Sequence, residues 1–254
     1  MYQVKYEALK IKGGWQKIFW CILSVMGFIY PLSAQADVKN SGGGFIDFNA
    51  YPYLSDTDND TIVTINIAAK LENRFSYFSL LNLGKKSGTE ADTVTYYTEQ
   101  NLRWKITETS PFDLTIQLNF RSGEKNDRHR LGVRWRLNDT PGLVDFFKAL
   151  HLKYALNLHG IQFDHEATYV WQMEHAFRMI FPGISDRLYL AGFIDHTFNQ
   201  DLPEDFPRNP IVAEVQVGVQ LVENFYGIAE YRINQYRRGE TDNLAVGVEY
   251  KIVW

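Results

Sequence analysis

Residues Leu244–Trp254 read LAVGVEYKIVW and divide cleanly by parity. Leu244, Val246, Val248, Tyr250, Ile252 and Trp254 fall on one side; Ala245, Gly247, Glu249, Lys251 and Val253 fall on the other. Alternation with a period of two is the mark of a strand whose faces meet different surroundings. In a soluble sheet the apolar face is core and the charged face is solvated. In a transmembrane barrel the apolar face meets lipid and the charged face lines a lumen. The rest of the chain has to choose between these.

The N-terminus bears on that choice. Lys5, Lys10, Lys12 and Lys17 precede the apolar run Ile18–Leu32, and Ala34-Gln35-Ala36 follows it. A basic segment, a short apolar segment and small residues in alternation are the pattern of a secretory signal peptide, here expected over 1–36 with cleavage after Ala36. The run is short for a transmembrane helix, which needs about 20 apolar residues. The remaining domain, 37–254, has 254 − 36 = 218 residues. It lacks cysteine, since Cys21 lies in the leader, so its sheet and packing must hold it without disulfides. Its formal charge is (26 − 4) − (30 − 1) = −7, which argues against a nucleic acid polymer as partner.

Many segments repeat the alternation of the C-terminus. Val63, Ile65, Ile67, Ala69 and Leu71 share one parity. Val94, Tyr96, Leu102, Trp104 and Ile106 oppose Tyr97, Glu99, Asn101, Arg103 and Lys105; Leu114, Ile116, Leu118 and Phe120 oppose Thr115, Gln117 and Asn119. Leu131, Val133, Trp135 and Leu137 oppose Arg130, Gly132, Arg134 and Arg136, and Leu150–Leu158 sets its leucines and Tyr154 against His151, Lys153 and Asn157. Trp171–Met179, Ile211–Leu221 and Phe225–Tyr236 behave alike, while FIDFNAYPY, FSYFSLLNL and RLYLAGFID alternate less cleanly. With the last strand this makes about twelve, an all-β antiparallel barrel.

The connections alternate too. SDTDND, GKKSGTEAD, SGEKND, FDHEA, HTFNQDLPEDFPRNP and RRGETDN are polar and mostly long; ENR, TETSPFD, PGISDR and VEN are short. NDTPGLVDFFKA is the exception on the short side and is read as a turn holding one or two helical turns. An even strand number with long loops at one end is the outer-membrane pattern of a Gram-negative bacterium. Tyr51, Tyr53, Tyr96, Trp104, Trp135, Tyr154, Trp171, Phe177, Phe181, Tyr250 and Trp254 are assigned to aromatic girdles at the two interfaces. Lipid and lipopolysaccharide are therefore expected partners. The last strand, ending on Trp254, is expected to engage the barrel-assembly machinery.

The polar parity marks the lumen. Arg103, Lys105, Arg121, Arg130, Arg134, Arg136 and Lys153 form a basic wall on the fourth to seventh strands. Glu174, Glu214, Glu230 and Glu249, interspersed with Arg178, Arg232 and Lys251, form a mixed acidic one. Such an arrangement sets a field across a narrow pore and selects small polar solutes by size and polarity. Tyr97, Tyr226 and Tyr236 share the lumen parity and offer rings to a planar solute. The alternatives are a lumen plugged by paired charges, in a structural or adhesive barrel, and a lipid-modifying enzyme.

For catalysis the chain offers little. There is no G-x-S-x-G; PGISDR around Ser185 lacks the second glycine, and no histidine has a serine two residues on. Asp56, Asp58 and Asp60 alternate as in a calcium loop, but Thr61 stands where such a loop has glycine and Ile67 where it ends on glutamate. A solvated acidic loop is the expectation, and no cofactor is expected. The chain from about 45 to 254 resembles the nucleoside-specific channel family, the Tsx-like porins, in length, strand number and short turns. The segment Tyr154–Pro182, YALNLHGIQFDHEATYVWQMEHAFRMIFP, carries the best local likeness. That resemblance implies a passive channel for nucleosides or polar solutes of similar size.

Overall fold

Backbone N–H and C=O groups find no water inside a bilayer, so a sheet that crosses one must close on itself. The computed structural model describes residues 42–55, 61–86, 93–123, 127–163, 169–237 and 240–254. Among them, twelve antiparallel strands close into a barrel. They are β1 (Gly44–Ala50), β2 (Thr61–Lys70), β3 (Phe75–Lys86), β4 (Thr93–Lys105), β5 (Phe112–Arg121), β6 (Arg128–Arg136), β7 (Leu152–Gln162), β8 (Trp171–Phe181), β9 (Ser185–Phe198), β10 (Ile211–Val222), β11 (Phe225–Asn234) and β12 (Asp242–Val253). After the 7-residue β1, lengths run from 9 in β6 to 14 in β9. A tilted strand needs about 9–11 residues to cross the hydrocarbon. The expected signal peptide and the Asp56–Asp60 stretch lie outside the described residues.

Burial is inverted relative to a soluble protein. Asn101, Gln117, Asn157 and Glu249 are at most 2 % exposed, whereas Leu102, Ile116, Leu158 and Val248 stand 40–47 % exposed. Registers settle the three blurred strands. In β1, Asp47 and Asn49 turn inward opposite Asn66 and Thr64. In β3 the inward set is Phe78, Leu80 and Asn82; in β9 it is Ala191, Phe193 and Asp195, opposite Arg178, Ala176 and Glu174. Apolar residues on the lumen side of these strands are what hides their alternation.

On the outward face of β3 and β4, Ser79, Thr98 and Gln100 interrupt the apolar surface. They satisfy one another: Gln100 Nε2 donates to Ser79 Oγ at 2.9 Å and Thr98 Oγ1 at 2.6 Å. Tyr77 Oη donates to Gln100 Oε1, and Thr98 Oγ1 donates to the Leu80 carbonyl at 2.9 Å. Polar groups paired in this way escape most of the cost of facing lipid.

Between β6 and β7 a 3-10 turn (Leu137–Asp139) and the helix α1 (Val144–Ala149) confirm the helical connection. Phe147 of α1 is buried against Tyr154, with ring centroids 6.3 Å apart. Trp135 stacks on Phe112 at 5.9 Å, and its indole N–H donates to Thr140 Oγ1 at 2.7 Å. At the long-loop end Trp171 stacks on Phe198 at 3.9 Å. Of these, Trp135, Tyr154 and Trp171 belong to the expected girdles.

Tyr51 and Tyr53 do not. Both are 3 % exposed and lie in the lumen, because they share the parity of Asp47 and Asn49. Position near a strand end does not say which face a ring takes. Beyond Ala50 the chain continues over β12, with Tyr53 bridging Ala245 and Leu54 N–H donating to the Leu244 carbonyl at 2.8 Å. Tyr51 Oη shares a 2.6 Å hydrogen bond with Thr64 Oγ1 on β2, and Tyr53 Oη donates to Glu230 Oε1 on β11 at 2.6 Å. The rings meet edge to face at 5.9 Å. Small residues on β12 make room: Ala245 is fully buried, and a Cβ on Gly247 would stand 2.6 Å from Tyr51 Cα.

Two outcomes follow for the β1–β12 junction. Gly247→Val should keep β1 from closing, so the unheated variant migrates at the unfolded position on gels where the wild type migrates as a compact barrel. Gly227→Ala, whose added Cβ would meet nothing nearer than Leu221 Cδ1 at 3.6 Å, should migrate like the wild type. Tyr53→Phe removes the donor from a buried carboxylate and should lower stability by about 1–3 kcal/mol, read from the urea midpoint in detergent micelles.

Candidate functional site

The lumen is built by register. Across β4 to β7 the inward residues form rows: Asn101, Gln117, Arg130 and Gln162 in one, Arg103, Thr115 and Gly132 in the next, and Asp113, Arg134 and Asn157 below. The first row is tied together, with Arg130 donating to Gln162 Oε1 at 3.0 Å and to Gln117 Oε1 at 2.8 Å. Gln117 Nε2 reaches Glu174 Oε2 at 3.5 Å, and His159 Nε2 lies 3.7 Å from the same oxygen.

At the short-turn end Arg136 is pinned by Asp113, by Asp139 at 2.6 Å and by the Ser110 carbonyl at 2.6 Å. Lys105 is partly exposed there and Lys153 is exposed. Toward the long-loop end Tyr97 accepts from Asn119 Nδ2 at 2.6 Å and donates to Glu99 Oε2 at 3.1 Å, with the Arg121 guanidinium 5.2 Å from its ring. Tyr236, just past β11, donates to Gln200 Oε1 at 2.5 Å.

The other half of the lumen carries three clusters. Arg232 pairs with Glu214 at 3.1 Å and lies 5.9 Å from the Tyr53 ring, beside Glu230. Lys251 bridges Asp47 at 3.2 Å and Glu249 at 3.3 Å. Arg178 stacks on Tyr189 at 4.1 Å, and Tyr189 donates to Glu249 while accepting from Gln216 at 2.5 Å.

All the lumen candidates on strands thus face inward, the cations concentrated on β4 to β7 and the acids on the remaining strands, with opposite charges placed among both. Glu99 and Asp113 sit among the arginines of β4 to β6, and every acidic cluster on the other side holds its own cation. Opposite charges interleave because a buried charge without a partner is costly, so neighbours on adjacent strands neutralise one another. Among the described residues no group of three or more His, Cys, Asp or Glu side chains is placed to hold a metal ion. Ser185 opens β9 and its Oγ accepts the Arg187 N–H at 3.2 Å.

Sequence reasoning missed the carboxamides. Asn49, Asn82, Asn101, Gln117, Asn157 and Gln172 are all inward and at most 7 % exposed. The signal was present, since each shares the parity of a charged candidate or of a clear lumen residue, but attention to charge passed over it. Packing is also uneven. Ala176, Arg178, Ala191, Phe193 and Gln216 on β8 to β10 keep partial exposure, as do Gly132 and Arg134 on β6, while Asn101, Thr115, Gln117 and Asn157 are closed off.

No family profile matches the chain, and no curated protein does. Solved structures that resemble it include porins. One is the KdgM porin, 15 % identical with a TM-score of 0.47, over 81 % of this chain and 98 % of that one. The KdgM porin in complex with disordered oligogalacturonate is 16 % identical with the same TM-score and coverage. A Rhodopseudomonas blastica porin triple mutant is 10 % identical with a TM-score of 0.33, over 83 % of this chain and 98 % of that one. None of these three is described as a nucleoside channel.

Proposed function

We propose that the chain is a narrow diffusion channel for small polar solutes in the outer membrane of a Gram-negative bacterium. The carrying observation is the inverted barrel: polar or charged side chains face inward on every strand while the opposite faces are mainly apolar. Charged and amide side chains along the interior are what a path for polar solutes needs. Twelve strands also enclose more space than the side chains of eight need to fill it. The partly exposed residues of β8 to β10 support a path that runs off-centre, past Arg178 and the Glu214–Arg232 pair.

Nucleosides are the finer reading. Tyr97 with Arg121 stacked on it, and Tyr236 beyond β11, supply aromatic and cationic surfaces suited to a planar base; stacking of a base on an aromatic ring contributes about 1–3 kcal/mol. A second reading, the plugged barrel, is favoured by one observation, the near-complete burial of Asn101, Thr115, Gln117 and Asn157 at mid-lumen.

Conductance separates them. The refolded chain from residue 37 onward should give discrete current steps in a planar bilayer, and added uridine or adenosine should block them in part. Steps without nucleoside block would leave the channel and remove the nucleoside. A folded barrel that passes no current would establish the plug. Arg178→Gln takes a cation from the path and should shift the reversal potential in a salt gradient toward cation selectivity, by about twofold in permeability ratio.

A further inference from the structure

Helix α1 lies on the outside of the barrel wall rather than beneath its mouth. Its Phe147 packs on Tyr154, with ring centroids 6.3 Å apart, and Tyr154 shares the outward parity of Leu156 and Leu158 on β7. Tyr154 Oη shares a 2.6 Å hydrogen bond with His175 Nδ1, on the outward face of β8. The stretch leading into the helix keeps to the same side, since the Trp135 indole, outward on β6, donates to Thr140 Oγ1 at 2.7 Å. Asn138 Oδ1 accepts the Tyr154 backbone N–H at 3.1 Å, and His151, at φ 50°, turns the chain from the helix into β7. The connection is thus held against the wall at both of its ends.

The helix carries more apolar surface than that contact uses. Leu143, Phe146, Phe147 and Leu150 recur at spacings of three and four, which puts them on one stripe with Val144 at its edge. Phe147 is buried, whereas Val144, Phe146 and Leu150 stand 42, 59 and 38 % exposed. Asp145, Lys148 and Ala149 take the opposite side. The exposed apolar side chains border the outward surface of β6 and β7, where Trp135 and Tyr154 lie. Other points of the same rim are apolar and exposed too: Leu71, Ile184, Val222 and Trp254.

We propose that α1 is an interfacial lipid anchor. It lies along the phospholipid leaflet at the short-turn end, with Val144, Phe146 and Leu150 among the acyl chains and Asp145 and Lys148 at the headgroups. The proposal goes beyond the channel reading and rests only on that part of it which has the barrel cross a bilayer. A helix with one apolar and one charged side gains by lying in the plane of the interface, its apolar face about 5–10 Å into the boundary between headgroups and acyl chains. Lipid is the occupant because the exposed face of α1 runs on from the surface that β6 and β7 turn outward. The location also fits the strand it follows. β6 has 9 residues, at the short limit of the roughly 9–11 that cross the hydrocarbon, and α1 adds apolar surface where that strand ends.

The test is electron paramagnetic resonance on the full chain carrying Cys21→Ser, which leaves no native thiol, in vesicles of phosphatidylethanolamine and phosphatidylglycerol. A nitroxide is attached in turn at Phe146→Cys, Leu150→Cys, Asp145→Cys and Ile116→Cys, each variant first shown folded by its gel mobility. Collision rates with oxygen and with a water-soluble nickel chelate then give the depth of each label. The labels replacing Phe146 and Leu150 should favour oxygen at a depth of about 5–10 Å, while the label replacing Asp145 should favour nickel. Ile116, outward on β5 and 46 % exposed, should carry a deeper label than either. Nickel-favoured collisions in place of Phe146 or Leu150, with the Ile116 label in lipid, overturn the anchor and keep the barrel in the membrane. Nickel-favoured collisions in place of Ile116 remove the membrane reading and the anchor with it. Equal depth in place of Asp145 and Phe146 overturns the anchor, because the helix then has no oriented face. A Phe146 label that neither reagent reaches overturns it as well and sets that face against a second copy of the chain. Conductance tests the channel independently of all four outcomes.

Discussion

Closure of the sheet between β1 and β12 is the constraint on which everything else depends. In lipid an unpaired edge strands a row of N–H and C=O groups, each costing several kcal/mol. Six residue pairs from Phe45–Val253 to Ala50–Val248 prevent this. The ladder ends on a reciprocal pair, with Gly44 N–H donating to the Trp254 carbonyl at 2.9 Å and Trp254 N–H to the Gly44 carbonyl at 3.1 Å. The seam is also where lumen and scaffold become one structure. Tyr51 reaches Thr64 on β2 and Tyr53 reaches Glu230 on β11, so two tyrosines from β1's extension fasten both sides of the junction from within. They fit only because β12 presents Ala245 and Gly247 beneath them. The small residues in LAVGVEYKIVW, which alternate so plainly with the apolar ones, are there for that contact.

A polar interior brings its own difficulty. Desolvated charges must be paired at close range, and pairing across adjacent strands fixes where cations and anions can stand. The result is the interleaving seen throughout: Glu214 with Arg232, Lys251 between Asp47 and Glu249, Arg136 among Asp113 and Asp139. Such pairing reduces the transverse field that separated walls would create. Between the paired charges, Ala176, Arg178, Ala191, Phe193 and Gln216 on β8 to β10 keep partial exposure.

Most of the fold was legible because its two faces differ so strongly in polarity. Strand number, loop alternation, the helical turn in NDTPGLVDFFKA and the inward set of β4 to β8 all follow from parity. Where the faces differ less, parity fails: Phe78, Leu80 and Phe193 point into the lumen, and Thr98 and Gln100 point out. Bulges are invisible to it altogether. Asn157 and His159 are inward at odd positions, yet Gln162, at an even one, joins them opposite Arg130, because the extra residue in β7 resets the count while Ile161 faces outward. Tyr51 and Tyr53 show the limit of a girdle argument, since an aromatic near a strand end is equally compatible with either face. The inward carboxamides were present in the pattern as polar residues, but only register shows which of them share a row.

Cations outnumber acids on β4 to β7, where Arg103, Lys105, Arg121, Arg130, Arg134, Arg136 and Lys153 share the lumen face with Glu99 and Asp113, and the reverse holds toward β10, β12 and β1. Pairing at close range lowers the cost of each buried charge without cancelling the difference between the two sides. A dipolar solute aligns in the field that remains, whereas an ion of either sign meets attraction on one wall and repulsion on the other. Net charge alone therefore misses what the arrangement of the charges supplies.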